Sequence, residues 1–356
     1  GVQEIEGALK DGRPVRFWRV LPVKFIGGVL SIASSMVLGR EGPTIQMGGN
    51  LGQAFGRLVN FNQKNCDALI AAGAAAGLAT AFNAPLAGVL FVMEEMRDAF
   101  SLSFLKFKTV AISTVAATII LRLMMGNTPS IKMDVFEMPD VHALGLFFIL
   151  GVLVGCVGIV FTRALMRFLY WMDKRTWITR LLYVTGVALL VGFLAWLWPN
   201  AVGGGYHIIE QSLTFTPGFT VLALLFLMRF ALTLLCYGTG VPGGIFAPLL
   251  ALGTLLGLAI ATGFELFLSD VTTVQPGMFA VAGMGALFSS TIRAPVTGIV
   301  LVGEMTQNYS LILPLMVSCL TATTVVQLAG GSPIYEQLLQ RTIGRENKLK
   351  KGVELS

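Results

Sequence analysis

AGAAAGLATAFNAPLAGVLFVMEE, residues 72–95, can be laid on AGMGALFSSTIRAPVTGIVLVGEM, residues 282–305, at a constant offset of 210. Ala72/Ala282, Gly73/Gly283, Ala76/Ala286, Ala84/Ala294, Pro85/Pro295, Gly88/Gly298, Val92/Val302 and Glu94/Glu304 are identical. A second pair of blocks precedes the first. GREGPTIQMGGNLG (39–52) lies on GIFAPLLALGTLLG (244–257) at an offset of 205, matching at Gly39/Gly244, Pro43/Pro248, Gly48/Gly253, Leu51/Leu256 and Gly52/Gly257. The same order at nearly equal offsets implies two structural halves. The offsets do not say whether the second half is inverted relative to the first.

Working outward, the surroundings of these blocks are apolar. The chain has 356 residues, 55% hydrophobic and 12% charged, whereas soluble domains carry about 25% charged residues. Residues 68–93, 141–162, 181–209, 230–264 and 305–335 contain no Asp, Glu, Lys or Arg. A membrane-spanning helix needs about 20 mostly apolar residues. The expectation is an all-α polytopic membrane protein, rather than a soluble protein with a large core. Repeated halves in such a protein point to a transporter or channel. Its site then sits at their interface, near mid-membrane, on broken helices.

The expected division is a first half over 1–125, a polar connection at 126–140 (GNTPSIKMDVFEMPD), a second half over 141–340 and a tail at 341–356. The segments over 141–210 have no counterpart before residue 1, and the chain opens on Gly1 rather than Met. Helices upstream of the first half are therefore expected to be missing.

The net charge of +6 does not imply nucleic acid, because the basic residues sit at segment edges and in RTIGRENKLKKG (341–352). Lys and Arg near membrane ends mark the cytoplasmic side, which places the C-terminus there; a merely solvated tail explains the same residues. Cys66, Cys156, Cys236 and Cys319 are scattered, and His142 and His207 lie far apart. No metal site, cofactor or catalytic nucleophile with a base is indicated, so an intramembrane enzyme is not supported.

Both earlier blocks share a local grammar: glycines, then a proline, then a small-residue helical run. Proline suits the first turn of a helix, so both read as helix starts. A helix N-terminus carries unpaired N–H donors and about half a positive charge, and attracts anions. Two such starts from two halves could converge on one anion. The absence of Lys and Arg over 230–264 fits weak binding by backbone, which lets an ion leave as well as enter. The alternative is that the glycines only permit close packing. Glu41 lies at one of these starts. An ionisable residue in a membrane segment is a functional candidate by default. Ionised, it would occupy the anion's place; protonated, it would have no charge to hold it there. The alternative is a surface pair with Arg40. Glu94 and Glu95 close VLFVMEEMR, and adjacent helix positions point about 100° apart, so one of them need face the interior; both could equally sit in water beside Arg97. Glu6 and Lys24 read as a structural ion pair.

These residues resemble the CLC family of chloride channels and proton-coupled chloride antiporters over essentially the whole chain. The motifs are GREGP (39–43), GGIFAP (243–248), EIEGAL (4–9), NAPLAG (83–88), RAPVTG (293–298) and the tyrosine of SPIYEQLL (332–339). The likeness is strongest to bacterial members without cytoplasmic nucleotide-binding modules. It implies inverted repeats, a multi-pass protein of the bacterial inner membrane, and a homodimer with one ion pathway per subunit. It also implies bound chloride with no other cofactor. By the resemblance, Glu41 matches the external gating glutamate. The backbone amides of Ile245 and Phe246 match the central chloride site, and Arg40, Glu41 and Gly42 the outer one. Tyr335 matches the inner tyrosine whose hydroxyl contacts chloride, and Glu95 the internal proton-transfer glutamate. Glu95 favours exchange over a passive voltage- or pH-gated channel, because channels of the family generally lack a carboxylate there. A fluoride exporter fits Tyr335 and the intact GREGP and GGIFAP poorly. The family's third chloride motif survives only as GVQ (1–3), with Gln3 in place of a proline. The serine that bears on chloride versus nitrate preference is not in the sequence.

Overall fold

A computed structural model describes residues 1–11, 17–97, 103–267 and 275–354. The described residues form fifteen α-helices. The first half contains α1 (Val2–Asp11), α2 (Phe17–Ala33), α3 (Glu41–Leu58), α4 (Gln63–Phe82), α5 (Pro85–Glu95) and α6 (Phe104–Met125). The second contains α7 (Leu144–Asp173), α8 (Trp177–Leu197), α9 (Tyr206–Thr214), α10 (Phe219–Gly238) and α11 (Phe246–Phe267). It continues through α12 (Pro276–Ile292), α13 (Pro295–Thr306), α14 (Ile312–Leu328) and α15 (Ile334–Glu354).

Seven helical stretches among the described residues are long and apolar enough to cross a membrane: α4, α6, α7, α8, α10, α11 and α14 with their flanking turns. Their outer faces carry exposed apolar residues such as Leu123 on α6, Leu189 and Trp196 on α8, and Leu224 on α10. With lipid as the solvent this is the expected arrangement, and small residues let helices approach closely inside the protein. A Cβ built on Gly48 of α3 would collide with the carbonyl oxygen of Gly73 on α4. Their repeat mates behave alike: a Cβ on Gly253 of α11 would collide with the carbonyl of Gly283 on α12. In each half a helix pair is thus packed backbone to backbone at the same matched glycines.

The short helices are the informative ones. At 1.5 Å per residue, α5 and α13, with 11 and 12 residues, reach about half of a ~30 Å hydrocarbon core. Both begin in the same way. The preceding helix ends on a left-handed residue, Asn83 at φ 53° and Arg293 at φ 67°, followed by an alanine and then a proline at the helix start. Their first amides lack intrahelical acceptors. Glu94, at the end of α5, accepts from Val296 N (3.1 Å), Thr297 N (2.7 Å) and Thr297 Oγ1 (2.8 Å) at the start of α13. Glu304, in the last turn of α13, accepts from Leu86 N (3.2 Å) and Ala87 N (2.9 Å) at the start of α5. Each helix caps the other, tail to head, so equivalent helices run antiparallel. The repeats are inverted.

Residues 126–140 carry no helix and bond to both halves, at the end of α4 and just after α13. Asn83 Nδ2 donates to Thr128 O (3.0 Å) and Phe136 N donates to Asn308 Oδ1 (2.8 Å). Residues 341–354, set apart as a tail in the sequence reading, continue α15. Arg341 makes a two-pronged bond with Asp173 at the end of α7 (2.6 and 2.8 Å). The pairing lies nearly 170 residues apart in sequence, too far for local pattern to reveal it.

Candidate functional site

The two helix starts of the matched blocks meet. Gly39 N donates to Gly244 O (2.8 Å) and Gly244 N donates to Gly39 O (2.7 Å). This two-residue antiparallel bridge is the β-pairing found among the described residues. It joins a residue to its own repeat mate, so the axis relating the halves passes between them. Immediately beyond it, α3 begins at Glu41 and α11 at Phe246. Proline occupies the third position of each helix, Pro43 and Pro248. The amides of Glu41 and Gly42, and of Phe246 and Ala247, are therefore the first-turn donors that each helix leaves without an intrahelical partner. Both positive ends face one region.

Glu41 is fully buried there. A Cβ on Gly39 would overlap its carboxylate, and one on Gly244 would stand 3.3 Å from Oε2. The group thus fills a cradle that only glycines leave open. The Ala247 amide of α11 and the Tyr206 hydroxyl of α9 face it. Neither carboxylate oxygen closes a hydrogen bond of normal geometry. The alternative of a surface pair with Arg40 is not what forms. The exposed Arg40 side chain donates from Nη2 to Ala81 O (2.8 Å), and its guanidinium carbon sits 5.7 Å above the Tyr206 ring.

Ile245 and Phe246 are both buried. The Phe246 ring is the centre of an aromatic cluster. It lies 5.1 Å from Phe288, 5.8 Å from Phe91, 6.2 Å from Phe82 and 5.7 Å from Tyr335 (centroid distances). Tyr335, buried in the first turn of α15, belongs to this cluster. A polar cleft of about 360 Å³ is lined by Glu336, next to Tyr335 in the chain, and by Glu95, Glu6, Glu94, Arg293, Arg97 and Lys10. Both Glu95 and Glu41 act electrostatically on Tyr335. Glu94 turns to α13, as the 100° separation of neighbouring positions allows. Glu6 lines the cleft, and Glu4 is a charge that acts on Lys24. His142 and His207 are exposed, and the four cysteines are free. No grouping with metal-ligand character occurs among the described residues.

Three residues of the neighbourhood escaped the sequence reading. Arg229 on α10 is fully buried, and donates to Ala201 O (3.0 Å), Val202 O (3.4 Å) and Gly203 O (3.0 Å). It thereby fixes the loop ahead of α9 and the position of Tyr206. The signal was present as a lone cation in the apolar run LLFLMRFALTLL. Glu304 was visible as the repeat mate of Glu94, without a partner to suggest its use. Tyr206 has no such signal.

The family profile described as "Voltage gated chloride channel" matches residues 1–327. This chain is a member of the CLC family. Among its CLC relatives is the "H(+)/Cl(-) exchange transporter ClcA" of Vibrio parahaemolyticus, 47% identical over 363 aligned residues, covering 98% of this chain and 75% of the relative. The protein of the same name from Vibrio cholerae is 49% identical over 352 residues, covering 96% and 74%. The chain also superimposes on the crystal structure of "a slow cyanobacterial Cl-/H+ antiporter" with a TM-score of 0.92 and 42% identity, covering 98% of this chain and 81% of that one. The superposition shows that this CLC protein and the cyanobacterial antiporter share one helical architecture.

Proposed function

We propose that this protein exchanges chloride for protons across the membrane, with Glu41 as the gate of the outer anion site. The observation that carries the reading is the Glu41 carboxylate itself. It is fully buried, with neither oxygen closing a hydrogen bond of normal geometry, between the starts of α3 and α11. That is where two sets of unpaired amides favour negative charge. A carboxylate and a chloride compete for such a place. Protonation removes the charge that holds the side chain, and lets it carry its proton away as the anion enters. Chloride in the central site is held by the Ile245 and Phe246 amides, and Tyr335 closes the inner side. Glu95, in the polar cleft, passes protons between the interior and the pathway. The names of the ClcA relatives and of the cyanobacterial antiporter support exchange as the activity. The assembly belonging to this reading is a homodimer with one pathway per subunit, in a bacterial inner membrane with the C-terminus cytoplasmic.

The test is the reversal potential in liposomes under a chloride gradient, with and without a pH gradient. An exchanger shifts with the pH gradient; a potential indifferent to it would identify a passive channel. Glu41→Gln is expected to carry chloride with no proton flux, and Glu95→Gln to keep chloride flux while proton flux falls. Proton movement at the wild-type ratio in either variant would remove that residue from its role.

A further inference from the structure

We propose that Tyr206 is a positioning residue for the gate: its hydroxyl is the hydrogen-bond donor that latches ionised Glu41 in the outer site. The inference rests on Glu41 being the gate and names what holds it closed.

Tyr206 is fixed on every side but one. Its backbone follows Gly205, held at φ +107°, in the loop that Arg229 binds through the carbonyls of Ala201, Val202 and Gly203. Gly203 N donates to Ser35 O (2.8 Å), tying the same loop to the segment that leads into α3. The ring lies beneath the Arg40 guanidinium, which is itself bonded to Ala81 O. The hydroxyl alone is unsatisfied. It is buried, closes no hydrogen bond of normal geometry, and faces both the Arg40 guanidinium and a carboxylate whose two oxygens also close none. Buried hydroxyls and carboxylates without partners are costly, and here each is what the other lacks. The donor is immobile and the acceptor sits on a rotatable side chain, so a change of Glu41 rotamer makes or breaks the bond.

The bond discriminates between protonation states. A phenol donating to a carboxylate makes a charge-assisted bond, stronger than one to the neutral acid. The latch thus favours the ionised, blocking form and weakens when the proton arrives. The groups facing Glu41 are Arg40 beside it, the Ala247 amide from α11, Tyr206 from α9 and Tyr335 from α15. Of these, Tyr206→Phe changes one hydroxyl only, since the ring and its contact with Arg40 remain.

Loss of a bond to a charged group corresponds to about tenfold in the ionisation equilibrium, or about one pH unit. Chloride flux through Tyr206→Phe is therefore expected to reach half its maximum about one pH unit higher than in the parent protein. Its apparent chloride affinity should rise, because the competing carboxylate is held less firmly. The experiment measures chloride and proton flux in liposomes from pH 4 to pH 8 for the parent, Tyr206→Phe, Glu41→Gln and the double variant. Size-exclusion profiles in detergent confirm that each folds. The shift must vanish in the Glu41→Gln background. An unshifted midpoint in Tyr206→Phe, or a uniform fall in rate at all pH values, overturns the latch while leaving the gate intact. A parental pH profile and coupling in Glu41→Gln overturns the gate, and the latch with it.

Discussion

Glu304→Ala isolates the reciprocal capping that shows the two halves to be inverted. The carboxylate accepts from Leu86 N at 3.2 Å and Ala87 N at 2.9 Å. Hydrogen bonds to charged acceptors contribute about 1.5–3 kcal/mol each. The Leu86 contact is long and lies at an exposed position, so the low end of that range applies. Charge at a helix start adds a further ~0.3–1 kcal/mol. The expected loss is about 3 kcal/mol. Glu304→Gln keeps one acceptor oxygen and turns an NH₂ toward the other donor, for an expected loss of about 1.5–2 kcal/mol. Glu94→Ala removes the side-chain partner of Thr297 as well as two amide bonds, and should cost more than Glu304→Ala, about 4 kcal/mol. Equilibrium unfolding in mixed micelles, followed by the fluorescence of the five tryptophans, gives all three. The required order is Glu94→Ala, then Glu304→Ala, then Glu304→Gln. A loss below about 1 kcal/mol for Glu304→Ala, or Gln as damaging as Ala, would show that these carboxylates do not hold α5 and α13 together.

Two further outcomes follow from the packing. Arg229→Met strands the carbonyls of Ala201, Val202 and Gly203 and should cost about 2–4 kcal/mol in the same assay, at about 1 kcal/mol or more per orphaned group; parental stability would mean that the loop ahead of α9 holds itself. Gly253→Val drives a side chain into the Gly283 carbonyl and should cost more than about 2 kcal/mol. Gly186→Ala in α8, where a Cβ meets nothing within 4 Å, should gain about 0.5 kcal/mol. The same sign for both glycines would remove close approach as the reason for the matched pair.

The helix starts at Glu41 and Phe246 were legible because glycine and proline punctuate the chain locally, and the repeat because identity at a fixed offset survives without any knowledge of contacts. Glu41 stood out as a charge in an apolar setting. The inversion was not legible from offsets, since a repeated sequence looks the same whichever way its copy is inserted; it became visible in the tail-to-head bonds of Glu94 and Glu304. Those two, like Asp173 and Arg341, find partners more than 160 residues away, beyond the reach of any local pattern. Arg229 was hidden for a different reason: its acceptors are backbone carbonyls, which carry no signature in side-chain identity. Tyr206 was hidden because a tyrosine after three glycines is an ordinary loop residue until the Glu41 carboxylate is seen opposite it.

The Gly39–Gly244 bridge has one more consequence. A contact between a position and its own counterpart is isologous, of the kind two copies of one surface make about a two-fold axis. Nothing in the bridge tells one half from the other. The two halves part company at once after it, where the offset that pairs the glycines sets Arg40 opposite Ile245 and Glu41 opposite Phe246. One arm of a self-complementary frame ends in a group that can change its charge, the other in a ring that cannot. The backbone at this junction has no front or back; the sense of direction resides in the unlike side chains that follow it.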